Sequence, residues 1–261
     1  MSDILTTIYA AKARILAEDE VREPLAGLRE RAEHRRRERR SFRAALARAR
    51  GPAIIAEIKR ASPSAGMIAA DMDPATVAAA YAAAGADAIS VLTETEHFLG
   101  DLAYLDIARA HADVPILRKD FLSAPYQIVQ AAAYGADAVL AIVAGLDDAQ
   151  LHAILAEAAR YDLDVLVEVH NRRELDRALA LGSGILGINN RNLRTFSTDL
   201  AVSETLMVTL PAGTLVISES GIRDVADCAR LAVAGARGFL IGESLMRGGP
   251  ALIGAIKALP A

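Results

Sequence analysis

Three short phrases set amines and carboxylates inside otherwise apolar stretches: AEIKR with Glu57 and Lys59, LRKDF with Lys119, and VEVH with Glu168. Of 29 basic residues only four are lysine, at positions 12, 59, 119 and 257. An ammonium has a pKa that its surroundings can move, whereas a guanidinium does not. A rare lysine among apolar residues is therefore a candidate acid or base, although an ion pair at the edge of a core accounts for it equally well. Glu57 and Lys59 stand two apart, so on a strand both face the same side. If Lys119 and Glu168 converge on them, each group perturbs the pKa values of the others, as general acid and base catalysis requires.

The elements that must hold these groups are legible in a repeated phrase: AYAAAGADAISVLTE at 80–94, QAAAYGADAVLAIVAG at 130–145 and LAVAGARGFLIGES at 231–244. Each reads as the end of an Ala-rich helix, a glycine stop (Gly85, Gly135, Gly235), then a buried strand. Further apolar runs at 53–60, 114–121, 164–170, 185–192 and 214–221 bring the total to eight. The segments between them begin near Pro, Asp or Asn and several end in glycine, as helices do. Continuous apolar strands alternating with helices imply a parallel sheet covered by helices, and eight units predict a closed (β/α)8 TIM barrel in one domain over 51–261. An open doubly wound sheet is the alternative, but no GxGxxG follows the first run. Residues 1–50 contain no strand and read as a helical extension packed on the barrel, two or three helices that cap one end.

In such barrels the loops after the strands' C-terminal ends build the active site. The polar residues there are Glu57 and Lys59, Thr93 and Glu94, Lys119 and Asp120, Glu168, then Asn189, Asn190 and Arg191, and finally Ser218, Glu219 and Ser220. Ser220-Gly221 and Gly242-Glu243-Ser244 follow the last two strands, where backbone N–H groups form a phosphate cradle. Ser62, in SPS after the first strand, adds a hydroxyl. Glu243 is awkward beside an anion, so its side chain should point away while its amide faces the ligand.

Other classes find less support. Residues 22–50 carry eleven Arg against four Glu, so the rest of the chain sums to about −11 within a net charge of −4. This segment reads as a solvated helix with Glu33 pairing Arg36 and Arg37, in preference to a nucleic-acid arm. No apolar run reaches a membrane span and the first twenty residues lack a secretion-signal layout, so the expected location is cytoplasmic. The single Cys228 allows no internal disulfide, and no Cys/His spacing writes a metal site. Cys228 falls in a helical stretch and reads as core. None of the five histidines, His97 and His170 included, has a partner that lifts it above an ordinary loop residue. A lysine on a barrel strand also suits a Schiff-base sugar-phosphate aldolase.

Taken together, AEIKRASPSAG, LRKDF, VEVHN, GINNRNLRTF, VISESGI and FLIGESLMR resemble indole-3-glycerol phosphate synthase of tryptophan biosynthesis. Their order and spacing agree over most of residues 1–250, and DILTTIYAAK and SFRAAL are similar to that family's opening. The resemblance implies ring closure of 1-(2-carboxyphenylamino)-1-deoxyribulose 5-phosphate with loss of carbon dioxide and water. It implies no cofactor, a phosphorylated small molecule rather than nucleic acid or membrane as partner, and a monomer with a weak dimer left open. Carried onto matching positions, it makes Lys119 the general acid at the ribulose carbonyl, with Glu168 and Lys59 moving protons in decarboxylation and dehydration. Glu57 and Asn189 join that polar cluster, and Arg191 and Ser220 line the anthranilate end and the site floor. Ser62, Gly221, Gly242 and the Glu243 backbone hold phosphate. Two departures stand out: Ala65 where the family often has Lys, and Arg118 where it often has a smaller residue, changes that bear on phosphate attraction or packing. The SPSAGMI loop, with its Gly66, is expected to close over substrate.

Overall fold

The computed structural model describes residues 4–259 apart from 183, 194 and 212; Arg194 of the GINNRNLRTF phrase thus lies outside the described residues. Eight parallel strands close into a barrel: β1 (Ala53–Ile58), β4 (Ala88–Leu92), β5 (Ile116–Lys119), β6 (Ala138–Ile142), β7 (Asp164–Val169), β8 (Ile185–Asn189), β9 (Val216–Glu219) and β10 (Gly238–Ile241). Each pairs with its neighbours in sequence and β1 pairs with both β4 and β10, which leaves no edge. Two short strands, β2 (Ala61–Ser62) and β3 (Gly66–Met67), form an antiparallel hairpin after β1. All eight apolar runs are barrel strands.

The strands are apolar on both faces because both are covered. Ala53, Ile55, Leu117, Leu140, Leu166, Ile217 and Leu240 belong to a cluster inside the barrel, while their neighbours Ile54, Ile116, Val139, Val167, Val216 and Phe239 pack under the helices. Between the strands lie α4 (Pro74–Ala83), α5 (Ala103–His111), α6 (Pro125–Ala133), α7 (Asp148–Arg160), α8 (Arg172–Ala180), α9 (Ala201–Met207) and α10 (Val225–Val233), and after β10 come α11 (Glu243–Gly248) and α12 (Ala251–Lys257). Their starts are written locally: Asp73, Asp147, Asn171 and Asp224 each accept a hydrogen bond from a backbone N–H of the first turn, satisfying otherwise orphaned donors. Gly85, Gly135 and Gly235 all adopt positive φ at the helix stops that the repeated phrase marks. Cys228 is fully buried in α10, as expected of a core residue.

The N-terminal helices do more than cap one end. α1 (Ile4–Arg22) reaches the mouth of the barrel, where Tyr9 packs edge-on against Phe121 at 5.8 Å and Lys12 pairs with Asp120 at 2.9 Å. α2 (Leu25–Arg35) runs along α6, and α3 (Phe42–Ala47) plugs the far end, burying Phe42 and Leu46 beside Ala53, Ala88 and Leu117. The arginine run is a solvated helix only in part, with Arg29, Arg31 and Arg37 exposed. Glu33 and Arg36 do pair, at 3.7 Å, but Arg36 also pairs with Asp162 and Arg35 with Asp106. Arg39 donates to the carbonyls of Ala132 and Ala136, and Arg40 to those of Ala112 and Val114. These carbonyls lie at or just beyond the C-terminal ends of α5 and α6, where helix dipoles favour cations. These arginines spend their charge on the barrel itself. Among the described residues no helix is long and apolar enough to cross a membrane.

Replacing Phe42 by Ala should cost about 3–5 kcal/mol, the usual toll of deleting a fully buried aromatic ring. A chemical denaturation midpoint equal to that of the parent would show that α3 is not part of the cooperative core.

Candidate active site

Alternation along the strands decides which polar residues enter the barrel. On β9, Ile217 lies inside, so Glu219 follows it inward, while Ser218 turns outward to Asn190 and Ser203. By the same alternation Glu57, Lys119, Glu168 and Asn189 end their strands facing the interior. Glu57 and Lys59 pair at 2.7 Å. The Lys119 ammonium stands 3.5 Å from Glu168 and 3.7 Å from Glu219. Space for this is made by glycines. A Cβ at Gly187 would sit 2.1 Å from Glu219 Oε1, and one at Gly242 would sit 2.3 Å from Glu57 Oε1 and 2.9 Å from Lys59 Nζ.

Burial and proximity divide the charges. Burial favours a neutral amine at Lys119, but the charges of Glu168, Glu219 and Glu57 outweigh it and hold the group above the ordinary lysine value. Burial would likewise raise Glu168, but Lys119, His170 and Asn189 hold it well below the usual carboxylate range. Glu219 goes the other way: burial and the neighbouring Glu168 charge raise it well above the ordinary value despite Lys119. The floor therefore sets an ammonium and a carboxylate, each held toward its charged form, beside a carboxyl pushed toward its neutral form. Two carboxyls driven apart in this way supply a base and an acid from one residue type. Glu168 Oε2 and both oxygens of Glu219 are buried without hydrogen-bond partners among the described residues.

These groups form the floor of a cavity of about 630 Å³, and every site residue singled out in the sequence lines it: Glu57, Lys59, Ser62, Lys119, Glu168, Asn189, Arg191, Ser220, Gly221, Gly242 and Glu243. One wall is apolar, with Phe98, Phe121, Leu140 and Ile142 joined by Leu5 and Ile8 of α1. Phe98 is placed by Glu94, which faces away from chemistry and accepts from the backbone N–H groups of His97 and Phe98. The opposite end is built from backbone. Ser220 and Gly221 both take positive φ, Ser62 Oγ accepts from Ala65 N, and Glu243 turns its carboxylate to Arg247 at 3.1 Å, leaving the start of α11 to present amides. Asn189 accepts from Arg191 N, and the Arg191 guanidinium donates to Phe196 O.

Three expectations change. His170 is no ordinary loop residue: Nε2 lies 3.2 Å from Glu168 Oε1 and Nδ1 lies 3.0 Å from Glu174 Oε2. Arg118 points out of the barrel, donating to Thr93, Asp120, Gln130 and the Gln127 carbonyl, so it serves packing and has no part in phosphate attraction. Glu219, among the polar strand ends but not among the site candidates, sits at the centre. Counting inward positions from Ile217 would have found it.

Against this geometry stand the relatives. Residues 5–257 match the family described as indole-3-glycerol phosphate synthase. The chain belongs to that family. It is 47% identical over 263 residues to the indole-3-glycerol phosphate synthase of Rhodospirillum rubrum, covering 99% of each chain. It is 54% identical over 194 residues to that of Azospirillum brasilense, 74% of each. Solved structures share the barrel at low identity: an N-acetylmannosamine-6-phosphate 2-epimerase from Clostridium perfringens matches with a TM-score of 0.60 at 14% identity, over 78% of this chain and 91% of that one. The family's members are decarboxylating lyases of tryptophan biosynthesis, and this chain acts as one of them.

Because Gly187 gives Glu219 its place, Gly187→Ala should lower kcat at least about tenfold, one misplaced proton-transfer group being worth that or more, while the circular dichroism spectrum stays that of the parent. Undiminished kcat would show that the position of Glu219 does not matter to turnover.

Proposed function

We propose that Lys119, flanked by Glu168 and Glu219, is the general acid of ring closure. The ring carbon that bears the carboxylate attacks the ribulose carbonyl, forming the carbon–carbon bond, and the Lys119 ammonium protonates the carbonyl oxygen. Carbon dioxide then leaves, and its bonding electron pair restores the benzene ring. In dehydration the new hydroxyl departs as water with a proton from Lys59, and the Glu168 carboxylate takes the carbon-bound proton whose electrons complete the indole. Glu57 holds Lys59, and Asn189 orients Glu168.

What supports this reading is the ammonium between two buried carboxyls whose pKa values are pushed in opposite directions. The same feature argues against the Schiff-base aldolase, since an imine needs a neutral amine and Glu168, Glu219 and Glu57 keep Lys119 charged. The apolar wall at Phe98 and Phe121 suits the anthranilate ring. The amides after Gly221 and Gly242, with Ser62, suit the phosphate. A biosynthetic role is in keeping with the cytoplasm.

With no tryptophan in the chain, indole emission on adding the carboxyphenylamino-deoxyribulose phosphate rises from a low background. Lys119→Ala and Glu168→Gln should each lower the rate by about 10²–10⁴-fold, the range for a lost general acid or base. A Lys119→Ala variant as fast as the parent would remove that residue as the acid.

A further inference from the structure

His170 follows β7 directly and stands between two carboxylates that belong to different elements. Glu174, in the first turn of α8, accepts from the His170 backbone N–H at 2.8 Å and from Asn171 Nδ2 at 2.5 Å. Asn171 caps the same helix through Glu174 N, so this carboxylate is fixed from three directions at a helix start that favours negative charge. Nδ1 of the imidazole meets it at 3.0 Å, which brings Nε2 to an ion-pair distance of 3.2 Å from Glu168 Oε1 without hydrogen-bond geometry. The two oxygens of Glu168 thereby differ: Oε1 faces the imidazole, and Oε2 faces Lys119 at 3.5 Å.

We propose that His170 is a positioning residue for the synthase reaction, an imidazolium oriented by Glu174 that holds Glu168 Oε1 and leaves Oε2 to the substrate. The proposal rests on Glu168 being the base assigned above. An imidazole whose far nitrogen is fixed by a carboxylate has its ring orientation and proton position set. A carboxylate on each side also keeps it charged. Burial would lower the His170 pKa, but contacts with Glu168 and Glu174 raise it to about 10. The other groups facing Glu168 are Lys119 from β5, Asn189 from β8, Glu219 from β9 and the buried Tyr9 phenol from α1. Without the His170 charge, Glu168 loses one of the two cations that hold its pKa down while that of Glu219 is raised. The proton of the pair is then less firmly assigned to Glu219.

The signs follow from which charge is removed. In His170→Asn the Glu168 pKa rises, so the acid limb of the kcat profile moves to higher pH, and kcat falls about tenfold. In Glu174→Gln the imidazole loses the partner that raised it and its pKa falls from about 10 toward the free value of about 6.5. An alkaline limb in kcat then moves down by a unit or more, with KM changed little. Imidazole ¹⁵N NMR, with the His170 signal assigned by its loss in His170→Asn, should show a charged ring beyond pH 8 in the parent and an earlier titration in Glu174→Gln. Parental kcat profiles in both folded variants, or a neutral His170 at pH 7, would overturn the proposal. Full activity in Glu168→Gln would instead overturn the assignment of the base, an outcome the NMR titration separates because it reads His170 without turnover.

Discussion

Everything at the cavity floor depends on one buried ammonium shared by two glutamates. Burying an ion costs several kcal/mol unless it is paired and its partners are satisfied, and two carboxyls this close cannot both ionise cheaply. The arrangement around Lys119 eases both problems by holding Glu168 toward its charged form and pushing Glu219 toward its neutral one. A barrel suits it because inward positions from separate strands arrive at one depth without any loop having to order itself. β9 brings Glu219 opposite Asn189 of β8 in register, and β6 brings Ile142 opposite Glu168 of β7. Gly187 and Gly242 are the empty places in that layer, and each is filled by a neighbour's carboxyl or amine.

The N-terminal helices extend the same logic outward. Lys12 and Arg118 both contact Asp120, whose pKa falls to about 2 because these cations outweigh its burial. Asp120 is the next residue after Lys119, so the position of the Lys119 amine is tied through its neighbour to a helix residue 108 positions away. α6 grips the same helix from below, with Tyr126 donating to the carbonyls of Asp19 and Glu23 and Gln130 donating to Asp19. Arg39 and Arg40 then fasten the descending chain to helix ends near the bottom of the barrel. The extension thus contributes wall, brace and plug in turn.

The sequence discloses this structure unevenly, for physical reasons. Strands buried on both faces leave continuous apolar runs, and helix starts and stops leave Asp, Asn, Pro and Gly, so the barrel is legible from local signals alone. Lys119 and Glu168 are legible because a charged residue inside an apolar run contradicts its surroundings. Glu219 carries the same contradiction but stands between two serines, and only its alternation with Ile217 shows that it points inward. His170 is hidden differently, since its partners lie two residues back on a strand and four residues on in a helix. No single period connects them. Arg39 and Arg40 look solvated in the sequence because their partners, the carbonyls of distant helix ends, have no side-chain identity to read.

The charges that the floor contains also decide how an anionic substrate is held. Glu57 pairs with Lys59, Glu168 with Lys119 and Glu174 with His170, and Glu219 is pushed toward its neutral form, so the cations of the floor are each matched by a carboxylate. Arginines at the rim are likewise engaged: Arg230 by Glu204, Arg247 by Glu243 and Arg223 by Asp227. The hairpin beside Ser62 carries Ala65 where a lysine is frequent in the family, and so adds no cation. In the proposed reading, attraction for phosphate falls chiefly to oriented backbone amides after Gly221 and Gly242, whose partial charges are fixed by the fold. A cradle of that kind discriminates by shape and hydrogen-bond direction more than by charge. It leaves the ammonium–carboxylate pairs free of the duty of binding, so that their pKa values can be set by the needs of proton transfer.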